Sequence, residues 1–223
     1  MEHLRFEDMN ISNEICRAVL DMGFEEATPI QSQAIPVILE GKDIIGQSQT
    51  GTGKTAAFGI PLLERINPED RRLQALILCP TRELAIQVSE EFRKLLKYKD
   101  NIRVLPIYGG QPIDRQIAAL RKGTQVVIGT PGRVMDHMRR RTIKAETVQM
   151  MVLDEADEML DMGFIKDVTN ILDRCPKKKQ VVMFSATISR EVMDISWLYQ
   201  RDVVEITVLP KEKNEPKIAQ YSL

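Results

Sequence analysis

The chain has 223 residues, 43% of them apolar, and a formal net charge of −1. That length supports a substantial core, as one domain or one domain plus a fragment. The near-zero charge excludes a protein that holds nucleic acid by a global positive field, so any such contact has to come from a few placed Arg, Lys and backbone groups.

In chain order, the first predicted element is an amphipathic helix with Ile11, Ile15, Val19 and Met22 on one face and Gly23 as its C-terminal stop. Short apolar runs follow at 44–45, 75–79, 104–107, 126–128, 150–153 and 181–184. They do not alternate polar with apolar residues, so they read as strands buried on both faces. Helical patterns separate them, most clearly over 82–97, where Leu84, Val88, Phe92 and Leu95 share a face. This alternation predicts an α/β fold, a doubly wound, mostly parallel sheet with helices on both faces. Pro106 cannot donate to a ladder, which places the third run at an edge or a bulge. A last strand-like run covers 203–208. The stretch LPKEKNEP then reads as a charged linker, and the period-2 pattern of Ala219, Tyr221 and Leu223 as the first strand of a further domain. Cys16, Cys79 and Cys175 are too far apart for a disulfide framework or zinc site and read as buried reduced thiols. No segment approaches the ~20 apolar residues of a membrane span. A soluble, cytoplasmic protein is expected.

Two motifs carry chemistry. Ser48, Gln49, Thr50, Gly51, Thr52, Gly53, Lys54 and Thr55 lie between a strand and a helix starting near Lys54. Gly51 and Gly53 allow successive N–H groups to turn inward as an anion-binding nest, and the helix N-terminus adds its dipole. Lys54 can reach the β- and γ-phosphates of a nucleoside triphosphate, and the Thr55 hydroxyl can ligate magnesium. The strict pattern asks for glycine at position 48, where a small serine stands. The alternative is a glycine-rich turn without a ligand. The second motif, Asp154-Glu155-Ala156-Asp157, sits at the carboxyl end of a buried strand, the ligand-binding edge of open α/β sheets. Asp154 can hold the metal, and Glu155 can orient or deprotonate an attacking water. Taken alone, the acidic residues could equally serve the dipole of a helix N-terminus.

With these motifs in hand, the chain resembles the N-terminal RecA-like domain of a DEAD-box ATP-dependent RNA helicase of the bacterial, cold-shock type. Asp154-Glu155-Ala156-Asp157 is the DEAD motif itself. The adenine-reading Q motif matches Gly23-Phe24 and Ala27-Thr28-Pro29-Ile30-Gln31, with Phe6 as the upstream aromatic. Motif Ia matches Pro80-Thr81-Arg82-Glu83-Leu84-Ala85, the double glycine is Gly109-Gly110, motif Ib is Thr130-Pro131-Gly132-Arg133, and motif III is Ser185-Ala186-Thr187. Ser48 replaces the usual alanine, and Ala27 stands where proline is frequent.

The resemblance implies ATP and Mg2+ as ligands. It assigns Phe6, Phe24, Thr28, Gln31 and residues 48–55 to the nucleotide. Lys54, Thr55, Asp154, Glu155, Asp157, Ser185 and Thr187 become the catalytic group, with Thr55 and Asp154 on the metal. Pro80, Thr81, Arg82, Gly109, Gly110, Thr130, Pro131, Gly132 and Arg133 are assigned to an RNA backbone held without reading bases. It implies three regions: 1–33 as the Q-motif segment, 34–208 as the ATP-binding domain, and 209–223 as linker and start of a second RecA-like domain. That second domain supplies arginine fingers, worth roughly 10³–10⁵ in rate in related P-loop enzymes. Proteins of RNA processing or ribosome assembly are the partners implied. Two other readings stay open, a P-loop motor acting on DNA or protein and a nucleotide-gated RNA clamp. His3 and His137 fit no nucleophilic triad. Arg139-Arg140-Arg141 reads as a solvated helix end, and residues 177–179 as a charged turn.

Overall fold

The six apolar runs and a seventh segment are strands in a computed structural model, which describes residues 4–49 and 51–208. His3, Thr50 and the linker expected at 209–223 lie outside the described residues. The strands are β1 (Ile44–Gln47), β2 (Ala75–Leu78), β3 (Val104–Ile107), β4 (Val126–Gly129), β5 (Met150–Leu153), β6 (Gln180–Ser185) and β7 (Val204–Thr207). They form one sheet in the order β3-β4-β2-β5-β6-β1-β7, with every pairing parallel. Pro106 does lie in an edge strand, as its missing N–H requires.

Helices cover both faces. They are α1 (Asn13–Asp21), α2 (Pro29–Leu39), α3 (Lys54–Arg65), α4 (Arg82–Leu95), α5 (Ile113–Leu120), α6 (Pro131–Arg139), α7 (Ala156–Asp161), α8 (Ile165–Arg174) and α9 (Arg190–Tyr199). Successive strand residues supply opposite cores. Ala75, Ile77, Met150, Val152, Val182 and Phe184 join the layer with α1 to α4. Leu76, Leu78, Met151, Leu153, Val181 and Met183 join the layer with α6 to α9. Burial on both sides is why these runs lack polar alternation.

The N-terminal segment belongs to the first layer. Phe6, Ile15 and Val19 are fully buried in it, and α2 runs unbroken across the expected 33/34 division. Ser12 caps α1, and Gly23, at φ +84°, follows its end. Cys79 and Cys175 are buried free thiols, but Cys16 is only half-buried. Among the described residues no helix is long and apolar enough to cross a membrane.

At the amino edge of the sheet, buried glutamines staple the loops. Gln74 Nε2 donates to the carbonyls of Asn67 and Asp70, and Gln200 Nε2 to those of Ile44 and Val181. At the carboxyl edge the strands release the predicted motifs in two groups. Adjacent β5, β6 and β1 lead to Asp154, Ser185 and Ser48, while adjacent β3, β4 and β2 lead to Gly109, Thr130 and Pro80.

Candidate nucleotide and nucleic-acid site

A cavity of about 990 Å³ opens at the first group, lined by Phe24, Thr28, Gln31, Gly51, Gly53, Lys54, Thr55, Asp154 and Glu155. The loop leading into it is shaped by Gly51 (φ +78°) and Gly53 (φ +88°), the latter capping α3. A Cβ at Gly53 would also lie 2.4 Å from Gln31 Nε2, so the position excludes side chains twice over. Ser48 fits where glycine was expected. It is 2% exposed, its N–H donates to the Ser185 carbonyl (3.2 Å), and the Thr52 hydroxyl lies 3.2 Å from its Oγ and 2.8 Å from the Gln49 carbonyl.

Lys54 is 7% exposed and Asp154 2%, yet Lys54 Nζ and Asp154 Oδ1 have no hydrogen-bond partner. Buried charges left unpaired cost several kcal/mol each. Burial, opposed by the Lys54 ammonium, pushes the Asp154 carboxyl up to about 7. An ammonium and a carboxylate oxygen left without hydrogen bonds on one cavity match a phosphate group and a metal ion. Thr55 adds a hydroxyl at the same wall. Among the described residues no cluster of three or more His, Cys, Asp or Glu could hold a metal alone. The donor set instead suits Mg2+, which binds through one or two protein groups plus substrate phosphates.

Glu155 follows with φ 52° and ψ 55°, a left-handed conformation that is costly for glutamate and places it at the start of α7. Asp157 connects this turn to β6. Its N–H donates to Ser185 Oγ (3.1 Å), and its Oδ2 accepts from the Thr187 N–H (2.8 Å) and hydroxyl (2.9 Å). Burial alone would raise the Asp157 carboxyl. The bonds from Thr187, Ser185 and the Glu158 N–H outweigh it and hold the group below its ordinary value. Since Ser185 also anchors Ser48, the glycine-rich loop, the acidic turn and the Ser185-Ala186-Thr187 segment form one linked unit.

In the segment 23–31, Gln31 is 1% exposed and works as a brace. Its Oε1 accepts from Thr28 N–H (2.9 Å) to cap α2, and its Nε2 donates to the Gly53 carbonyl (3.1 Å). The Thr28 hydroxyl donates to the Thr52 carbonyl (2.9 Å). Phe24 is 40% exposed on the cavity wall, free to present a ring face. Phe6 is not brought to the cavity. It is fully buried in the core, where it packs under the segment rather than facing a ligand.

The second group of turns lies beyond. Thr81 caps α4 by accepting from Leu84 N–H (3.2 Å), behind the buried Pro80. The Arg82 guanidinium sits 5.0 Å from the Tyr108 ring centroid, next to exposed Gly109 and Gly110. Thr130 precedes α6 with no side-chain cap bond, Pro131 is buried at its first turn, and Gly132 is exposed. Arg133 is tied to the protein through one nitrogen, its Nη1 donating to the Gln111 carbonyl and to Gln116 Oε1, both at 3.1 Å.

Sequence reasoning missed the rest of that network. Gln116 Nε2 donates to the Tyr108 carbonyl (3.0 Å), and Gln116 Oε1 lies 2.9 Å from His137 Nε2. The carbonyl oxygen can only accept, so His137 carries a proton on Nε2; its Nδ1 lies 2.8 Å from the Thr142 hydroxyl, which donates to the His137 carbonyl (3.0 Å). Burial, helped by Arg133, lowers its pKa to about 4. A neutral imidazole thus ties the Thr130-Pro131-Gly132-Arg133 turn to the double glycine. A helix-period reading of His137 beside Arg133 on α6 was the only signal available.

Comparison with known proteins agrees with this geometry. The DEAD/DEAH box helicase family profile matches residues 28–195. The DEAD-box ATP-dependent RNA helicase CshA of Bacillus licheniformis is 52% identical over 220 residues, covering 99% of this chain and 45% of that protein. Its Bacillus subtilis counterpart is also 52% identical, over 99% of this chain and 44% of its own length. The chain therefore spans less than half the length of these relatives. Among solved structures, a DEAD box protein from Methanococcus jannaschii superposes with TM-score 0.89 at 46% identity, over 93% of this chain and 56% of that one. A hypothetical ATP-dependent RNA helicase from Sulfolobus tokodaii gives 0.80 at 35% identity, over 90% and 57%. With the linked motifs in place and three-quarters of the chain inside the family profile, this protein belongs to the DEAD/DEAH box helicase family.

Proposed function

We propose that the cavity binds ATP with Mg2+, that the turns after β2, β3 and β4 grip an RNA backbone, and that the longer protein couples ATP hydrolysis to local opening of an RNA duplex. The observation that carries the reading is the buried, unpartnered pair Lys54 Nζ and Asp154 Oδ1 on one cavity. Lys54 and the N–H groups around Gly51 and Gly53 draw the phosphates in. Thr55 and Asp154 would hold the magnesium, which when bound neutralises charge on the phosphate oxygens. Glu155 orients the attacking water and accepts its proton. Phe24 offers a ring face to the base. Gln31, braced as it is, keeps one N–H and one oxygen lone pair, a match for the N7 acceptor and N6 donor of adenine.

RNA is favoured over DNA or protein by two supports: the relatives are named as RNA helicases, and the exposed glycines, Thr130 and Arg82 present backbone-binding groups. A second RecA-like domain in cis would complete both the catalytic site and the RNA surface. ATP turnover with and without RNA, in this chain and in one extended past Leu223, tests the reading. Stimulation by RNA in the extended chain, with little turnover in this one, is expected. Equal turnover in both would refute the need for a second domain, and indifference to RNA in both would refute the RNA assignment.

A further inference from the structure

The free edge of the sheet carries a second feature. A groove of about 540 Å³ runs beside β3, between the end of α4 and the face of α5. Five cations line it, Arg93, Lys99, Arg103, Arg115 and Lys122, and no carboxylate does. Lys99 is paired with Glu64 at 3.0 Å, while the other four are exposed. In a chain of net charge −1, this is a concentrated local positive field. It lies along the strand that runs into one of the turns already described. β3 leads straight into Gly109-Gly110, and Arg115 stands in the first turn of α5, which follows them.

The edge itself discriminates between kinds of polyanion. Val126 N–H donates to the Arg103 carbonyl and Thr130 N–H to that of Ile107, so residues 103, 105 and 107 turn their backbone groups towards β4. Pro106 therefore faces outward, where it has no N–H to give. An extended acidic peptide cannot add as a further strand across that gap. A phosphate backbone needs no strand ladder, only cations spaced along its path.

We propose that this groove holds the phosphate backbone of RNA running on past the Gly109-Gly110 turn, so that the RNA track continues down the β3 edge. The inference rests on the RNA reading above. Binding is measured with oligouridylates from roughly 6 to roughly 20 nucleotides, in the presence of Mg2+ and a non-hydrolysable ATP analogue. Both this chain and one extended past Leu223 are used, with and without the double substitution Arg115→Gln/Lys122→Gln. In the wild type, affinity should rise with length. The double variant should bind the shortest RNA and the ATP analogue normally, lose about 10-fold on the longest RNA, and show a salt slope lower there by about 1.4, two contacts at ~0.7 each. If no RNA binds the wild type at any length, the RNA reading fails and this inference with it. If short RNA binds but added length gains nothing, or the variant keeps the gain, the groove assignment alone is overturned. Oligoglutamate binding that the variant abolishes, without RNA length dependence, would assign the groove to an acidic protein segment instead.

Discussion

Asp154→Asn removes a charge from the cavity while keeping the shape of the side chain, and its effect on the ligand-free protein can be worked out. The folded carboxyl titrates near 7 against an ordinary 3.8. Between those values the folded state keeps a proton that the unfolded chain has released. Stability is therefore full below about pH 4, falls as pH rises through the interval, and levels off above about pH 7. At ~1.4 kcal/mol per pH unit the ceiling is about 4 kcal/mol, and water penetration and local relaxation bring the expectation to about 2 kcal/mol. The assay is urea unfolding in a chelating buffer at about pH 8 and about pH 5. Asp154→Asn should be the more stable protein at the higher pH, with less than half of that advantage at the lower one. If the cavity binds ATP with Mg2+ as proposed, the variant should also gain less stability than the wild type when both are added. A variant less stable than wild type by the same amount at both pH values would refute the reasoning, because Asp154 would then be a structural partner in the ligand-free fold.

Three further outcomes follow from particular contacts. Gln31→Ala removes both the cap on α2 and the brace on Gly53. It should weaken ATP and GTP binding together, by about 1–2 kcal/mol, and also narrow the preference for ATP; an unchanged ratio in competition titrations counts against the adenine assignment. Glu155→Gln should leave ATP binding intact and slow turnover by at least about 100-fold, trapping nucleotide and RNA together, and rapid RNA release with ATP uncleaved would contradict a cycle reset by hydrolysis. His137, neutral among Arg133, Asp136, Arg140, Gln116 and Thr142, has a folded pKa near 4 against 6.5. Its contribution is present above about pH 6.5 and is lost as pH falls towards 4, with a ceiling of about 3 kcal/mol and an expected size of about 1–2 after solvent screening. His137→Gln should flatten stability over that window, and an identical pH profile would show that the ring is free to protonate in the folded state.

The sheet was legible because its inner strands, β1, β2, β4, β5 and β6, are buried on both faces. Runs such as 75–79 and 150–153 announce themselves by the absence of polar alternation, and Pro106 marked an edge through its missing donor. The nucleotide half of the site was legible for a similar reason, since Gly51, Gly53, Lys54 and Asp154 are tied to the ends of those strands by local sequence. What could not be read were contacts between distant side chains. Phe6 has the character of a stacking aromatic, and only the packing of α1 to α4 puts it in the core. The ties of Arg133 were hidden because Gln116, Gln111 and His137 approach it only after α5 and α6 fold together. Gln31 was assigned to the base, while its brace on Gly53 spans 22 residues and carries no local signal.

The most direct test is an equilibrium titration of this chain with ATP and with GTP, with and without Mg2+, repeated for Lys54→Ala. If the paired orphans Lys54 and Asp154 are an ATP–magnesium site, ATP should bind more tightly with Mg2+ present and more tightly than GTP, and Lys54→Ala should lose at least about 30-fold in affinity, roughly 2 kcal/mol. Magnesium-independent binding, equal affinity for the two nucleotides, or an unimpaired Lys54→Ala variant would contradict it.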